Sequence, residues 1–212
     1  MVGVAEMLTF AFGFWVGTGV GVTLDFFITE ECLADQTSDS GNIGMQVGEV
    51  LTMRQCLLAL MIRSANDVAT QIAVQIAGSV SAFADMMNQR AQELGCVNTH
   101  FSNPHGLYSD DHYTCAYDMA LIMRAAVQND TFRKIDTTTS YNFPATKNSG
   151  ARTITMGHKM MYPTDTRYYE GIIGGKTGYT SLAGNTLVTA VERNGVRLIA
   201  VVLKSAGTHY TD

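Results

Sequence analysis

The stretch Ile172-Ile173-Gly174-Gly175-Lys176-Thr177-Gly178-Tyr179-Thr180 decides how this chain is read. Two further strand-like runs follow it, Asn185 to Glu192 and Val196 to Lys204, joined by Asn194-Gly195. Asn-Gly between two such runs is the strongest short-range hairpin signal, because both central residues of a type I′ turn need positive φ. The last third of the chain therefore reads as an antiparallel sheet.

Upstream the hydrophobic period is helical. Phe26-Phe27-Ile28 reads as a short strand, and the polar stretch from Thr37 to Asn42 as a loop. Thr52-Met53-Arg54-Gln55 is a capping-box sequence before Leu57, Leu58, Leu60, Met61 and Ile62, which predicts a helix stopping at Arg63-Ser64. A second helix is expected from an Asn66 or Asp67 cap, with Val68, Ile72, Ala73 and Ile76 inward and Gly78 at its end. A third starts near Ser81 and places Phe83, Met86, Met87, Ala91 and Leu94 on one face before Gly95. The segment from Asn98 to Ser109 is turn-rich, and Thr114 is expected to cap a fourth helix through Met119, Leu121, Ile122 and Ala126. With no internal repeat and no linker-like stretch, residues 1–212 read as one domain.

Composition narrows the function classes. A net charge of −5 argues against nucleic acid as the main partner. The cysteines, Cys32, Cys56, Cys96 and Cys115, form no C-x-x-C pair and read as small, partly buried apolar side chains rather than as disulfides or reactive thiols, since a domain of this size needs no staples. The histidines are scattered, so neither a metal nor any other cofactor is expected. Met7 to Leu24 carries no charge. Glu6 upstream and the absence of lysine or arginine before Arg54 argue against a signal peptide. Gly13, Gly17, Gly19 and Gly21 argue against a membrane span, so a buried helix running into a Gly-rich turn is expected.

Two tripeptides carry chemistry. At Ser64-Ala65-Asn66 a hydroxyl and an amide stand on a helix-to-helix connection, where they can relay a proton and hold a carbonyl. At Lys176-Thr177-Gly178 a strand offers positive charge and a hydroxyl donor to a carboxylate, while the glycine lets another backbone lie along the strand. Each alone is a weak signal. Alone, the first would be a helix stop and cap, and the second an exposed strand lysine. Their order, their contexts and the hundred or so residues between them raise the joint signal.

With their surroundings these strings resemble the serine D-alanyl-D-alanine carboxypeptidases, the low-molecular-mass penicillin-binding proteins of bacteria. Ser64-Ala65-Asn66-Asp67 with Val68-Ala69 is similar to the family's S-x-N segment, and Gly48-Glu49 with Leu51-Thr52 to the stretch leading into it. Asn98-Thr99-His100-Phe101, Asn103-Pro104-His105-Gly106-Leu107, Tyr113 and Asp118-Met119-Ala120 follow in family order. Gly174 to Thr180 supplies K-T-G, and Ala183-Gly184-Asn185 closes the set. The resemblance implies an α/β fold of the penicillin-binding, β-lactamase-like kind, an antiparallel sheet with a mainly helical lobe. It implies a two-step acyl transfer on peptidoglycan stem peptides ending in D-Ala-D-Ala, with β-lactams as mimics and an extracytoplasmic, wall-associated setting. By the same resemblance Ser64 relays a proton to the leaving amine, Asn66 binds the acyl-side amide, and Lys176 supports the hydroxyl of Ser64. Thr177 grips the terminal carboxylate, and the strand from Thr177 through Gly178 to Tyr179 pairs with the substrate backbone.

One signature is missing. The family's nucleophile and base come from S-x-x-K, but the residues three before Lys134, Lys147, Lys159, Lys176 and Lys204 are Thr131, Pro144, Met156, Ile173 and Val201. Laying Gly3 to Thr9 on the family pattern puts Gly3 at the nucleophile's place and Glu6 at the lysine's; the alternative is that these residues are unrelated sequence. The chain is expected to be a fragment, truncated at both ends, impaired in catalysis and membrane-associated only through segments not present. The rival readings are a non-catalytic peptidoglycan- or β-lactam-binding module and a gene fragment without function.

Overall fold

Residues 25–34 and 40–212 are described by a computed structural model. The expectations for Met7 to Leu24, for Gly3 and Glu6, and for the first part of the Thr37–Asn42 loop lie outside them. In chain order come β1 (Asp25–Phe27), α1 (Glu30–Ala34), β2 (Val50–Thr52), α2 (Met53–Arg63), α3 (Asn66–Ala77), α4 (Val80–Glu93), α5 (Ala116–Ala126) and α6 (Asp130–Asp136). Then follow β3 (Ser140–Phe143), β4 (Arg152–Thr155), a 3-10 turn at Lys159–Met161, β5 (Ile172–Thr180), β6 (Gly184–Arg193) and β7 (Val196–Ser205). β1 pairs β2, β3 pairs β4, and β5-β6-β7 form an antiparallel three-stranded sheet in that order. Helices with antiparallel sheets are the α/β architecture that the resemblance implied.

The local signals explain most of this. Asn194 and Gly195 take φ of 51° and 76° and turn β6 into β7. Thr52 caps α2 with its hydroxyl on the Gln55 amide, and the Gln55 side chain returns to the Thr52 amide, completing the box. Two cap assignments, those of α3 and α5, differ from the sequence reading. Helix α3 begins at Asn66 itself, with Ala65 in the cap position and no side-chain cap bond. Helix α4 starts at Val80, beside Ser81 as expected, and Ser79 caps it, its Oγ accepting from the Ala82 amide. Cys115 Sγ caps α5, accepting from the Asp118 amide, because the Thr114 hydroxyl is already paired with Thr99.

The core lies between one face of the large sheet, through Val188 and Ala190, and the helices α2, α3, α5 and α6. Met53, Met61, Met87, Met119 and Met123 are buried in it. Met86 and Leu94, expected on the buried face of α4, are only half-buried. All four cysteines are free thiols. A buried ion pair, Arg152 Nη2 to Glu49 Oε1 at 2.6 Å, ties β4 to the chain just before β2. The opposite face of the sheet carries an open groove of about 550 Å³, lined by apolar residues including Leu187, Val191 and Leu198.

Candidate active site

Ser64 closes α2 in the left-handed conformation, φ 56° and ψ 47°, with its amide donating to Leu60 O at 2.9 Å. A non-glycine residue there is uncommon and gathers at functional sites. The geometry turns the chain sharply, so that α3 starts two residues later and Ser64 stands at the corner between two helices. Gly41 lies against this corner. A Cβ on Gly41 would come within 2.3 Å of Ser64 O, and Gly41 O accepts from the Asn66 amide at 2.9 Å. Asp67, buried behind Asn66, has its carboxyl pushed up by burial, while hydrogen bonds to backbone at Val68, Ile43 and Met45 pull it down. The segment Gly41–Met45 is thereby strapped over the start of α3.

β5 delivers the second half. Side chains alternate along a strand, so Gly174, Lys176 and Gly178 face the helical side while Gly175, Thr177 and Tyr179 face the other. Lys176 is buried at 4% exposure, and its Nζ donates to Ser64 Oγ at 2.6 Å and to Thr177 O at 2.8 Å. Ser64 and Lys176 stand 112 positions apart in sequence. Asn66 is also buried at the start of α3. Thr177 is half-buried, Gly178 pairs Thr186, and Tyr179 projects outward at 53% exposure. The six residues singled out from sequence thus occupy one helix corner and one strand. β5 is an edge strand of its sheet among the described residues, so one side of its backbone is available for pairing.

Two residues around β5 carried no sequence signal. His158 is fully buried, and its Nε2 lies 2.9 Å from Thr189 Oγ1. A Cβ on Gly175 would sit 2.6 Å from that same nitrogen, so glycine is what lets the ring lie on the strand. Burial, then the Lys176 charge, depress the histidine to about 4. Asp136, the last residue of α6, is also fully buried, and its Oδ2 accepts the Gly175 amide at 2.6 Å. Burial raises it to about 7, against the pull of that hydrogen bond and of Lys176. His105 is buried, with its Nδ1 accepting from the Leu107 amide. No grouping of His, Cys, Asp or Glu among the described residues could hold a metal ion.

A buried lysine bonded to a serine hydroxyl thus stands beside an open strand edge. The chain belongs to the D-alanyl-D-alanine carboxypeptidase family, whose description it matches over residues 22–207. It is 33% identical over 160 residues to the D-alanyl-D-alanine carboxypeptidase DacF of Bacillus subtilis, covering 76% of this chain and 40% of that protein. It is 33% identical over 186 residues to DacB2 of Mycobacterium tuberculosis, covering 85% and 61%. Among solved structures it resembles a D-alanyl-D-alanine carboxypeptidase of Mycobacterium tuberculosis, with a TM-score of 0.82 at 27% identity over 94% of this chain and 72% of that one. The Streptomyces K15 DD-transpeptidase matches with a TM-score of 0.83 at 27% identity, covering 96% and 80%. The chain therefore spans about 40% and 61% of the lengths of the two curated relatives.

Proposed function

We propose that this chain carries the substrate-gripping and proton-relaying part of a serine D-alanyl-D-alanine carboxypeptidase, which removes the terminal D-alanine from peptidoglycan stem peptides on the wall side of the membrane. The observation that carries the reading is the Lys176 Nζ to Ser64 Oγ hydrogen bond. The peptide lies as an added strand along the open edge of β5. Its terminal carboxylate meets the Thr177 hydroxyl under the positive field of Lys176. Asn66 donates to the carbonyl of the acyl-side amide. When a serine attacks the scissile carbonyl, a C–O bond forms, the C–N bond breaks, the hydroxyl gives up its proton and the leaving nitrogen must gain one. Ser64, held by the Lys176 ammonium, passes that proton across; water then cleaves the ester and releases the shortened peptide. Penicillins enter the same cleft as acylating mimics.

A second reading has its own observation: no serine stands three positions before any lysine in these 212 residues. On that reading the cleft binds D-Ala-D-Ala peptides or β-lactams and does not turn them over. Titration with a peptide ending in D-Ala-D-Ala tests both. Saturable binding competed by penicillin and lost in Lys176→Ala supports the shared cleft, and D-alanine release then separates enzyme from binding module. Binding that is absent, or indifferent to Lys176→Ala, would overturn the assignment.

A further inference from the structure

We infer that Tyr210 is a positioning residue for the carboxylate end of the cleft, a phenol that staples the loop Gly157-His158-Lys159 onto β5 beside the hydroxyl of Thr177. The inference rests on reading Thr177 as the grip on the terminal carboxylate, and it adds a residue to which neither tripeptide points.

The geometry carries it. Gly175 and Thr177 point to the same face of β5, and consecutive residues of the loop lie against them. A Cβ on Gly175 would sit 2.6 Å from His158 Nε2, and a Cβ on Gly157 would sit 3.4 Å from Thr177 Oγ1. The loop backbone therefore runs along the strand with Gly157 next to the Thr177 hydroxyl. From the inside it is pinned by His158, whose Nε2 meets Thr189 Oγ1. From the outside it is held by Tyr210. The phenol oxygen accepts the Lys159 amide at 2.7 Å and donates to Gly157 O at 3.3 Å, bridging the two ends of the tripeptide.

Tyr210 is itself held in place. Asn185, the β6 residue paired with Tyr179, donates its side-chain amide to Gly207 O at 2.9 Å. The Thr208 amide donates to Thr211 Oγ1 at 2.8 Å, closing a turn around Tyr210. The Arg167 guanidinium, fixed by both carboxylate oxygens of Asp165, lies 5.0 Å from the centre of the Tyr210 ring. With the loop seated, the Thr177 side chain has a wall beside it that restricts its rotation. With the loop lifted that side chain turns freely, and ordering it again on a ligand costs binding energy.

The experiment compares the full chain with Tyr210→Phe, which keeps the ring under Arg167 and removes both hydrogen bonds. Three-bond NMR couplings of the Thr177 methyl carbon, a signal assigned by its loss in Thr177→Val, report the rotamer without any ligand. The unaltered protein should show one rotamer, and Tyr210→Phe an average of several. A folded Tyr210→Phe with a single Thr177 rotamer would overturn the inference. So would averaging in the unaltered protein, a result that stands even if the variant does not fold. Binding then separates positioning from general stability. A peptide ending in D-Ala-D-Ala should bind Tyr210→Phe about three- to tenfold more weakly, the range of a lost neutral hydrogen bond. The same peptide with a C-terminal amide should bind both proteins alike, and equal weakening of acid and amide would overturn the inference as well. If neither peptide binds the unaltered protein, the proposed function falls, and the Thr177 couplings alone decide whether Tyr210 positions that residue.

Discussion

His158 and Thr189 meet on the face of β5 turned away from the cleft, ring nitrogen to hydroxyl at 2.9 Å, directly behind the strand that carries Lys176. The pairing lets a histidine be buried completely while uncharged, and that has a consequence for acid stability. Burial holds His158 and His112 near 4, against 6.5 when unfolded. Protons therefore bind the unfolded chain first as pH falls below 6.5, and stability is lost between there and 4. At pH 5 each histidine costs about 2 kcal/mol. Asp136 works in the other direction. Raised to about 7 from 3.8, it returns about 2 kcal/mol between pH 7 and pH 5. One histidine is thus offset and one is not, so the urea midpoint should drop modestly from pH 7 to pH 5. In His158→Asn, which keeps a polar partner for Thr189, the drop should shrink or reverse.

Gly41→Ala should unfold the corner that presents Ser64. The added methyl would meet Ser64 O at 2.3 Å and Arg63 O at 2.7 Å, both backbone atoms that cannot swing aside. Overpacking of this kind typically costs about 1–3 kcal/mol. The expected result is a lower thermal midpoint together with weaker peptide binding. A variant as stable as the parent would show that the Gly41 strap does not hold the corner.

Breaking the Glu49–Arg152 pair should be more damaging than its single contact suggests. The Glu49 carboxylate is fully buried, and Arg152 and the Thr146 hydroxyl both bond its Oε1. Removing one partner leaves a buried charge uncompensated, at a cost of about 3–5 kcal/mol. Arg152→Met should show that loss in denaturant unfolding. The double variant Glu49→Gln with Arg152→Met should recover part of it.

These sites also mark how far the sequence could be read. Thr52 with Gln55, and Asn194 with Gly195, act over three or fewer positions, and their geometry follows from residue type alone. The tripeptides Ser64-Ala65-Asn66 and Lys176-Thr177-Gly178 were legible as motifs, although nothing local indicates that Ser64 adopts a left-handed backbone; that conformation comes from packing against Gly41. The cap at Cys115 is not legible for a similar reason. Thr114 is the better capping residue by type, but its hydroxyl is taken by Thr99, a partner 15 positions away. Helix α6 and the β3–β4 hairpin lack a periodic apolar stripe long enough to declare themselves. Asp136 was invisible because its partner Gly175 lies 39 positions downstream. Only the fold brings them together.

Within the cleft, Lys176→Met and Thr177→Val should weaken binding of a D-Ala-D-Ala peptide unequally. A hydrogen bond to a charged group is worth about 1.5–3 kcal/mol, or roughly ten- to a hundredfold in affinity. Lys176 both orients Ser64 and lends charge, so its loss should sit at the upper end and should flatten the salt dependence of binding. Thr177→Val should sit at the lower end and leave that dependence intact. Calorimetric titrations at two ionic strengths separate the two outcomes.

The last expectation concerns turnover. Nucleophilic acyl transfer needs a positioned hydroxyl with a base beside it, and removing the serine of a triad-type enzyme costs on the order of 10⁶ in kcat. Among the described residues the hydroxyl nearest to such a role is Ser64, to which Lys176 donates at 2.6 Å. An ammonium that donates to Ser64 Oγ stabilises the oxygen as an acceptor and takes no proton from it. Ser64 is therefore set to pass a proton to a leaving nitrogen, and its place at the helix corner, fixed by the left-handed backbone, leaves little freedom to advance on a carbonyl carbon. Residues 1–212 alone should neither release D-alanine nor carry a stable penicilloyl group, while still binding the peptide reversibly. Intact-protein mass spectrometry after incubation with penicillin reads this directly. An unmodified mass is expected for the parent chain and for Ser64→Ala alike. A single penicilloyl adduct on the parent that disappears in Ser64→Ala would make Ser64 the nucleophile, Lys176 its base, and the relay assignment wrong.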